Sequence, residues 1–359
     1  MDSCARHGIY TVLDLHAVPG GQNQDWHSDS GVHKALFWEF KHFQNATILL
    51  WKEIANHYRD NIWVGGYNPL NEPADVEHTR LNAFYAQIES EIRSVDSNHI
   101  LFLDGNTYAA DFTHFPFKPF ANSVYSIHDY AQFGFPNRTE KYEGTPSQLD
   151  KLKRNYERKI EYMKRVQVPV WNGEFGPVYA SKIRGDSNIA ETNATRYKVL
   201  RDQLSIYKHG DPSNDGSPIS WSIWVYKDVG YQGLTYISEN SKWYKVLRPW
   251  LEKKRKIGID QWGRDADPEI ESRVYEPVKK HFRDVIPEEA QNRTYPPFWK
   301  SDNYIDRVLR EILLADYLGL EFAKYFEGLS FEELDEMAAS FKFKNLEMRE
   351  ELNKYLSSY

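Results

Sequence analysis

Cysteine is almost missing from this chain: Cys4 is the single one in 359 residues, which excludes an internal disulfide framework and any cysteine-built metal cluster. Long apolar runs are missing too, since none approaches the roughly 18 residues that a membrane-spanning helix requires. Positive charge is in deficit, with 45 Lys and Arg against 52 Asp and Glu and a formal net charge of −7, so no basic face for nucleic acid is expected. There is no phosphate-binding glycine loop, no zinc-ligand spacing and no internal repeat. What is plentiful is aromatic: 15% of the residues, including 11 Trp and 24 Tyr. That is more than a core needs, and flat aromatic faces are what sugar rings stack upon. At 41% hydrophobic and 27% charged, the composition is that of a globular chain with material for one large domain or two smaller ones.

Compact β-rich runs recur over 9–15, 63–70, 99–103, 123–127, 167–171 and 218–225. Stretches with helical apolar spacing lie over 34–58, 77–95, 148–166, 192–209 and 242–251. Strand alternating with helix predicts crossover connections and a parallel sheet. Several runs end in polar clusters, namely Asp14-Leu15-His16, Asn71-Glu72, Asp104-Gly105-Asn106, His128-Asp129-Tyr130, Glu174 and Tyr226-Lys227-Asp228. In a parallel barrel all strand carboxyl ends share one mouth, and chemistry gathers there.

Two of those ends carry one glutamate each, in Asn71-Glu72-Pro73 and in Asn172-Gly173-Glu174-Phe175-Gly176. A pair of carboxyl groups is what cleavage of a glycosidic bond needs, one to protonate the leaving oxygen and one to face the anomeric carbon. Either glutamate alone would be an ordinary charged loop residue; the surrounding residues give the pair its meaning.

Asp14-Leu15-His16-Ala17-Val18-Pro19-Gly20-Gly21-Gln22-Asn23, Asn71-Glu72-Pro73, His128-Asp129-Tyr130, Gly173-Glu174-Phe175 and Trp221-Ser222-Ile223-Trp224, in this order and spacing, resemble glycoside hydrolase family 5, the cellulase and exo-β-1,3-glucanase family, with a fungal flavour. The resemblance implies a (β/α)8 TIM-barrel type of α/β fold and a retaining β-glycosidase or glucanase that forms a covalent glycosyl-enzyme, without cofactor or metal. Glu72 would be the acid/base, with a pKa raised by the facing like charge. Glu174 would be the nucleophile, with the two carboxyl groups about 5–5.5 Å apart. Asn71 would donate to the sugar 2-hydroxyl, and His16 would bind the sugar that is cleaved. His128 would stand near the leaving group and Tyr130 near the nucleophile. Trp224 would be the stacking platform, with Trp221 turned to the opposite strand face. Gln22, Asn23, Trp26 and His27 would line outer subsites or close the barrel mouth, while Trp38 and Trp51 read as core.

The chain departs from the family pattern at its start. Residues 1–8 read as the end of a helix leading into the family's third strand, so the expected barrel lacks its first two βα units and comes down to about six strands. The family's arginine at the second strand, which faces the nucleophile, has no counterpart. The expected layout is a partial barrel over 1–254, followed by a charged linker and helical extension over 255–359, with a capping-box helix start at Ser330-Phe331-Glu332-Glu333. The partner implied is a β-glucan or β-glucoside, with no nucleic acid and no membrane span. Two alternatives stay open: a catalytically inactive carbohydrate-binding remnant, and a transglycosylase. Scarce cysteine slightly favours the cytoplasm, whereas acceptor-type sequences at Asn45, Asn137, Asn193 and Asn292 mildly favour secretion.

Overall fold

The computed structural model describes residues 1–136, 140–213, 216–259, 267–291 and 301–359. Six strands, β1 (Thr11–Asp14), β2 (Val64–Asn68), β3 (Ile100–Asp104), β4 (Ser123–His128), β5 (Val170–Glu174) and β6 (Ser220–Trp221), form one sheet in the order of the sequence. Every neighbouring pair is parallel. This unreversed order is the winding of a (β/α)8 barrel, whereas doubly wound sheets reverse direction at a switch point. Six strands are present where a closed barrel of this type has eight. Parallel strands put all their carboxyl ends along one edge, and the last residues of the first five are Asp14, Asn68, Asp104, His128 and Glu174.

The chain divides into two compact units. The first comprises Met1–Asp129, Lys153–Glu174 and Tyr207–Ser222, and the second Tyr130–Leu152, Phe175–Ile206 and Ile223–Tyr359. The whole six-stranded sheet belongs to the first. Its third strand, Ile100–Asp104, is a nearly continuous apolar run, as expected where helices cover a parallel sheet. Tyr67, Leu101, Tyr125 and Ile127 are fully buried. The rings of Phe112, Phe115, Tyr125 and Tyr162 pack edge-on and tilted at centroid distances of 4.9–6.1 Å. Trp38 and Trp51 are core, each also satisfying its indole N–H, on Gln22 O at 2.8 Å and Pro69 O at 2.9 Å.

Local departures from the sequence reading have physical causes. The helix expected from residue 34 begins at Lys41, because Phe40 is extended and Leu36–Trp38 closes a separate 3-10 turn. The run over 218–225 keeps only Ser220–Trp221 as strand, so Trp224 lies in the loop beyond it. In the second unit, β7 (Lys227–Asp228), β8 (Thr235–Ile237) and β9 (Leu346–Met348) form a small sheet, with β8 and β9 antiparallel. The tail therefore contributes a strand as well as helices. The Arg349 guanidinium is held between the rings of Tyr179 and Tyr236, 4.5 and 4.4 Å away. Ala131, Tyr142, Leu152 and Val199 make a core of their own in this unit.

Part of the segment read as a charged linker is helical. Pro268 opens a helix where a missing N–H costs nothing, and a π-type turn at Glu271–Tyr275 precedes Pro277, whose ring cannot continue an ordinary α-helix from the turn before it. The capping box at Ser330 and Glu333 forms as expected. Of the acceptor-type asparagines, Asn137 and Asn292 lie outside the described residues. Asn193 binds both the N–H and the C=O of Ala180 through its amide. No helix among the described residues is long and apolar enough to cross a membrane.

Gly66 sets the approach of β2 to β3. A Cβ there would stand 2.2 Å from Ile100 O and 2.8 Å from the Phe102 ring, whereas at Gly65 the nearest atom is 3.7 Å away. Gly66→Ala is expected to lower stability by about 1–3 kcal/mol in a denaturant melt, and Gly65→Ala to cost clearly less.

Candidate active site

Within the first unit the two glutamates come together around one histidine. Glu72 follows β2 in a left-handed backbone conformation, φ 45°, which is uncommon for a residue with a side chain and concentrates at functional sites. Its backbone N–H donates to Asp104 Oδ2 at 2.9 Å, and its carbonyl accepts from Asn23 Nδ2 at 2.9 Å. Its carboxylate meets His128 Nδ1 at 2.6 Å through Oε1 and His27 Nε2 at 3.0 Å through Oε2. Glu174 ends β5, and its Oε2 lies 3.6 Å from the same His128 Nδ1. One donor atom from each of Glu72, His128 and Glu174 can be chosen so that all three lie within 4.8 Å of one another.

The sequence builds this arrangement through its strand ends. His128 and Glu174 are register partners on β4 and β5, and Gly173 leaves room for the imidazole, since a Cβ there would stand 3.0 Å from His128 Nε2 and 2.8 Å from Ser126 Oγ. Lys159, itself buried, donates to His128 O at 2.7 Å and to Asp129 Oδ1 at 2.8 Å. Tyr207 donates to Asp129 Oδ2 at 2.7 Å, and the Asp129 N–H reaches Glu174 O at 2.9 Å and Asn172 Oδ1 at 3.2 Å. The last turns of β4 and β5 are thus tied down by a buried, fully bonded ion pair, which fixes geometry more than it adds stability.

Charge placement follows from that crowding. Burial alone disfavours the His128 imidazolium, but Glu174, Asp104 and Glu72 favour it in that order and push its pKa up to about 10. Burial would raise the Glu72 carboxyl, yet the charge and hydrogen bond of His128, with those of His27, outweigh it and the net shift is downward. The upward push expected at Glu72 from the facing like charge is thus opposed by two neighbouring histidines, with His128 Nδ1 turned toward its carboxylate. Asp104 is pushed upward, chiefly by burial.

Other expected residues fall as follows. Asn71 is 2% exposed, and its Nδ2 has no hydrogen-bond partner among the described residues. His16 follows β1 with Nδ1 3.0 Å from Asp14 Oδ2; burial opposes its protonation, but the Asp14 hydrogen bond and charge prevail and raise its pKa. Tyr130 and Trp224 belong to the second unit, where the Tyr130 ring meets Phe135 at 5.9 Å and the backbone N–H of Trp224 donates to Phe175 O at 2.9 Å. Gln22 is a buried clamp, with Nε2 donating to His16 O and Asn71 O, both at 2.8 Å. Asn23 is buried and clamps Glu72 in the same way, while the Trp26 side of the loop is exposed. Sequence reasoning placed Asp104 at a strand end without giving it a role, placed His27 in outer subsites or the loop closing the barrel mouth, and did not single out Lys159. The available signal for Asp104 was its place at the end of a β-run.

A cellulase family model, glycosyl hydrolase family 5, matches residues 1–228. The chain belongs to glycosyl hydrolase family 5. A β-xylosidase of Phanerodontia chrysosporium is 47% identical over 99% of this chain and 74% of its own length. Endoglucanase C of Acetivibrio thermocellus is 24% identical over 65% of this chain and 72% of its own. Among solved structures, a hyperthermophilic endo-β-1,4-glucanase matches with a TM-score of 0.48 at 18% identity, over 65% of this chain and 69% of its own. As a family 5 member the chain is an O-glycosyl hydrolase of β-glycosidic bonds, and its substrate is a carbohydrate.

The His128 charge has a pH signature. A histidine whose folded pKa is raised contributes stability that is fully present below its unfolded value of 6.5 and is lost as pH rises through about 10. The melting-temperature difference between the wild type and His128→Asn should therefore be widest at or below pH 6.5 and narrow toward pH 10.

Proposed function

We propose that this chain is a retaining β-glycosidase acting on β-glucosides and β-xylosides by double displacement, with Glu72 as acid/base and Glu174 as nucleophile. The observation that carries this reading is the closeness of the two carboxylates, with donor oxygens within 4.8 Å. Retaining enzymes hold their carboxyl groups about 5–5.5 Å apart, whereas inverting ones leave about 6.5–9.5 Å for a water between them. The name of the Phanerodontia relative, β-xylosidase, supports including pentosides. Xylose and glucose pyranosides share the hydroxyl configuration at C2 to C4 and differ by one hydroxymethyl group.

In the first step Glu174 attacks the anomeric carbon, the glycosidic bond breaks, and the departing oxygen takes a proton from Glu72. That proton is supplied along the 2.6 Å bond from His128 Nδ1 to Glu72 Oε1. Once Glu174 is esterified, one of the anions holding the proton on His128 has been neutralised. Glu72 then deprotonates the water that releases the sugar with its original configuration. The open Nδ2 of buried Asn71 suits the sugar 2-hydroxyl, a bond that strengthens as the transition state forms. His16 would hold a hydroxyl of the same sugar.

The test combines product stereochemistry with labelling. Hydrolysis of aryl β-glucosides and β-xylosides, followed by NMR, should release the β-anomer first, and a 2-fluoro-glycoside should label Glu174. Glu174→Gln should abolish turnover and labelling, and Glu72→Gln should slow substrates with poor leaving groups by about 10²–10⁴-fold. Initial release of the α-anomer would overturn the reading.

A further inference from the structure

Asp104 is the last residue of β3 and is fully buried. Its main chain is anchored, since Tyr85 OH donates to Asp104 O at 2.8 Å. Its two carboxylate oxygens are used separately. Oδ1 accepts from Asn68 Nδ2, at the end of β2, at 3.0 Å. Oδ2 accepts the backbone N–H of Glu72 at 2.9 Å and stands 3.6 Å from His128 Nε2. The same His128 ring presents its other nitrogen to the Glu72 side chain. One buried carboxylate therefore meets the acid/base residue at its backbone, held at φ 45°, and faces the far side of the imidazole that supplies its proton.

A buried carboxylate needs partners, and a plain structural role would be met by N–H donors anywhere in the core. Besides Ser126, whose hydroxyl also favours the ionised carboxylate, three partners bear on Glu72. Asn68 begins the segment leading to it, the Glu72 N–H is its own backbone, and His128 is its proton source. We propose that Asp104 is a positioning residue for the acid/base step, holding Glu72 by its backbone N–H and keeping His128 turned so that Nδ1, not Nε2, faces the glutamates. This rests on the assignment of Glu72 as acid/base. Asp104→Asn removes the arrangement at nearly constant volume, because one amide oxygen cannot accept from both Asn68 and Glu72, and an NH2 group would face either a donor or the imidazole.

The experiment compares wild type and Asp104→Asn on two β-glycosides of one sugar, one with a 2,4-dinitrophenyl leaving group, which departs without protonation, and one with an unactivated phenol, which needs it. The expected result, read in kcat/KM, which reports the bond-breaking first step alone, is a loss of about 100-fold on the phenyl glycoside and a loss within about threefold on the dinitrophenyl glycoside. Equal losses on both substrates would overturn the proposal and leave Asp104 a purely structural clamp. Asn68→Ala, which loosens Asp104 without removing its charge, should show the same leaving-group pattern in weaker form and serves if Asp104→Asn does not fold. A wild type that turns over neither glycoside would defeat the hydrolase reading instead. The role of Asp104 is then decided by 15N NMR titration of His128, which Glu72, Glu174 and Asp104 all face. A midpoint lowered by about one pH unit in Asp104→Asn supports it, and an unchanged midpoint with an unchanged Glu72 amide shift overturns it.

Discussion

Carboxylates cannot crowd into a dry pocket without a cation among them, and here that cation is the His128 imidazolium. Glu72, Glu174 and Asp104 each lie within 3.6 Å of one of its nitrogens. Removing three carboxylates from water without a facing charge would cost many kcal/mol or force them to take up protons. The ring solves this with one proton, and its neighbours are arranged around it. Gly173 makes the space, and Lys159 binds the His128 carbonyl. His128 also brings its Nδ1 to 3.6 Å from Glu174.

The same interaction changes how the acid/base pair is to be read. Two like charges a short distance apart raise each other's pKa, and that reasoning alone makes Glu72 the proton carrier. A shared histidine with a 2.6 Å bond to one of them reverses the outcome. The loop after β1 is part of this design: Gln22 and Asn23 tie it to the backbone of Asn71 and Glu72, and His27 closes the second oxygen of Glu72.

Much of the fold was legible because its determinants are local. Alternation of β-rich runs with 3.6-period helices is a property of neighbouring residues, and it predicted six parallel strands close to where they lie. Motifs such as Asn71-Glu72-Pro73 and Gly173-Glu174-Phe175 could be recognised for the same reason. Where the reading slipped, the deciding contact was distant or depended on small backbone details. The strand expected over 218–225 pairs only at Ser220 and Trp221. The short strand Leu346–Met348 exists because a partner more than a hundred residues earlier, Thr235–Ile237, receives it, and nothing in its own sequence announces that. Asp104 was seen only as a strand-end polar residue and Lys159 not at all, because an isolated Asp or Lys looks the same in sequence whether it faces solvent or a buried histidine.

By itself the sequence determined the family, the parallel order of the strands and the two glutamates, since motif identity and hydrophobic period depend on residue type and spacing alone. Only the tertiary structure decided that His128 stands among Glu72, Glu174 and Asp104, that Asp104 binds the Glu72 N–H, and that Gln22 and Asn23 are clamps. Those outcomes depend on distances of 2.6 to 3.6 Å between side chains tens of residues apart. At that range burial and charge compete, and the sequence does not encode the distance over which they do so.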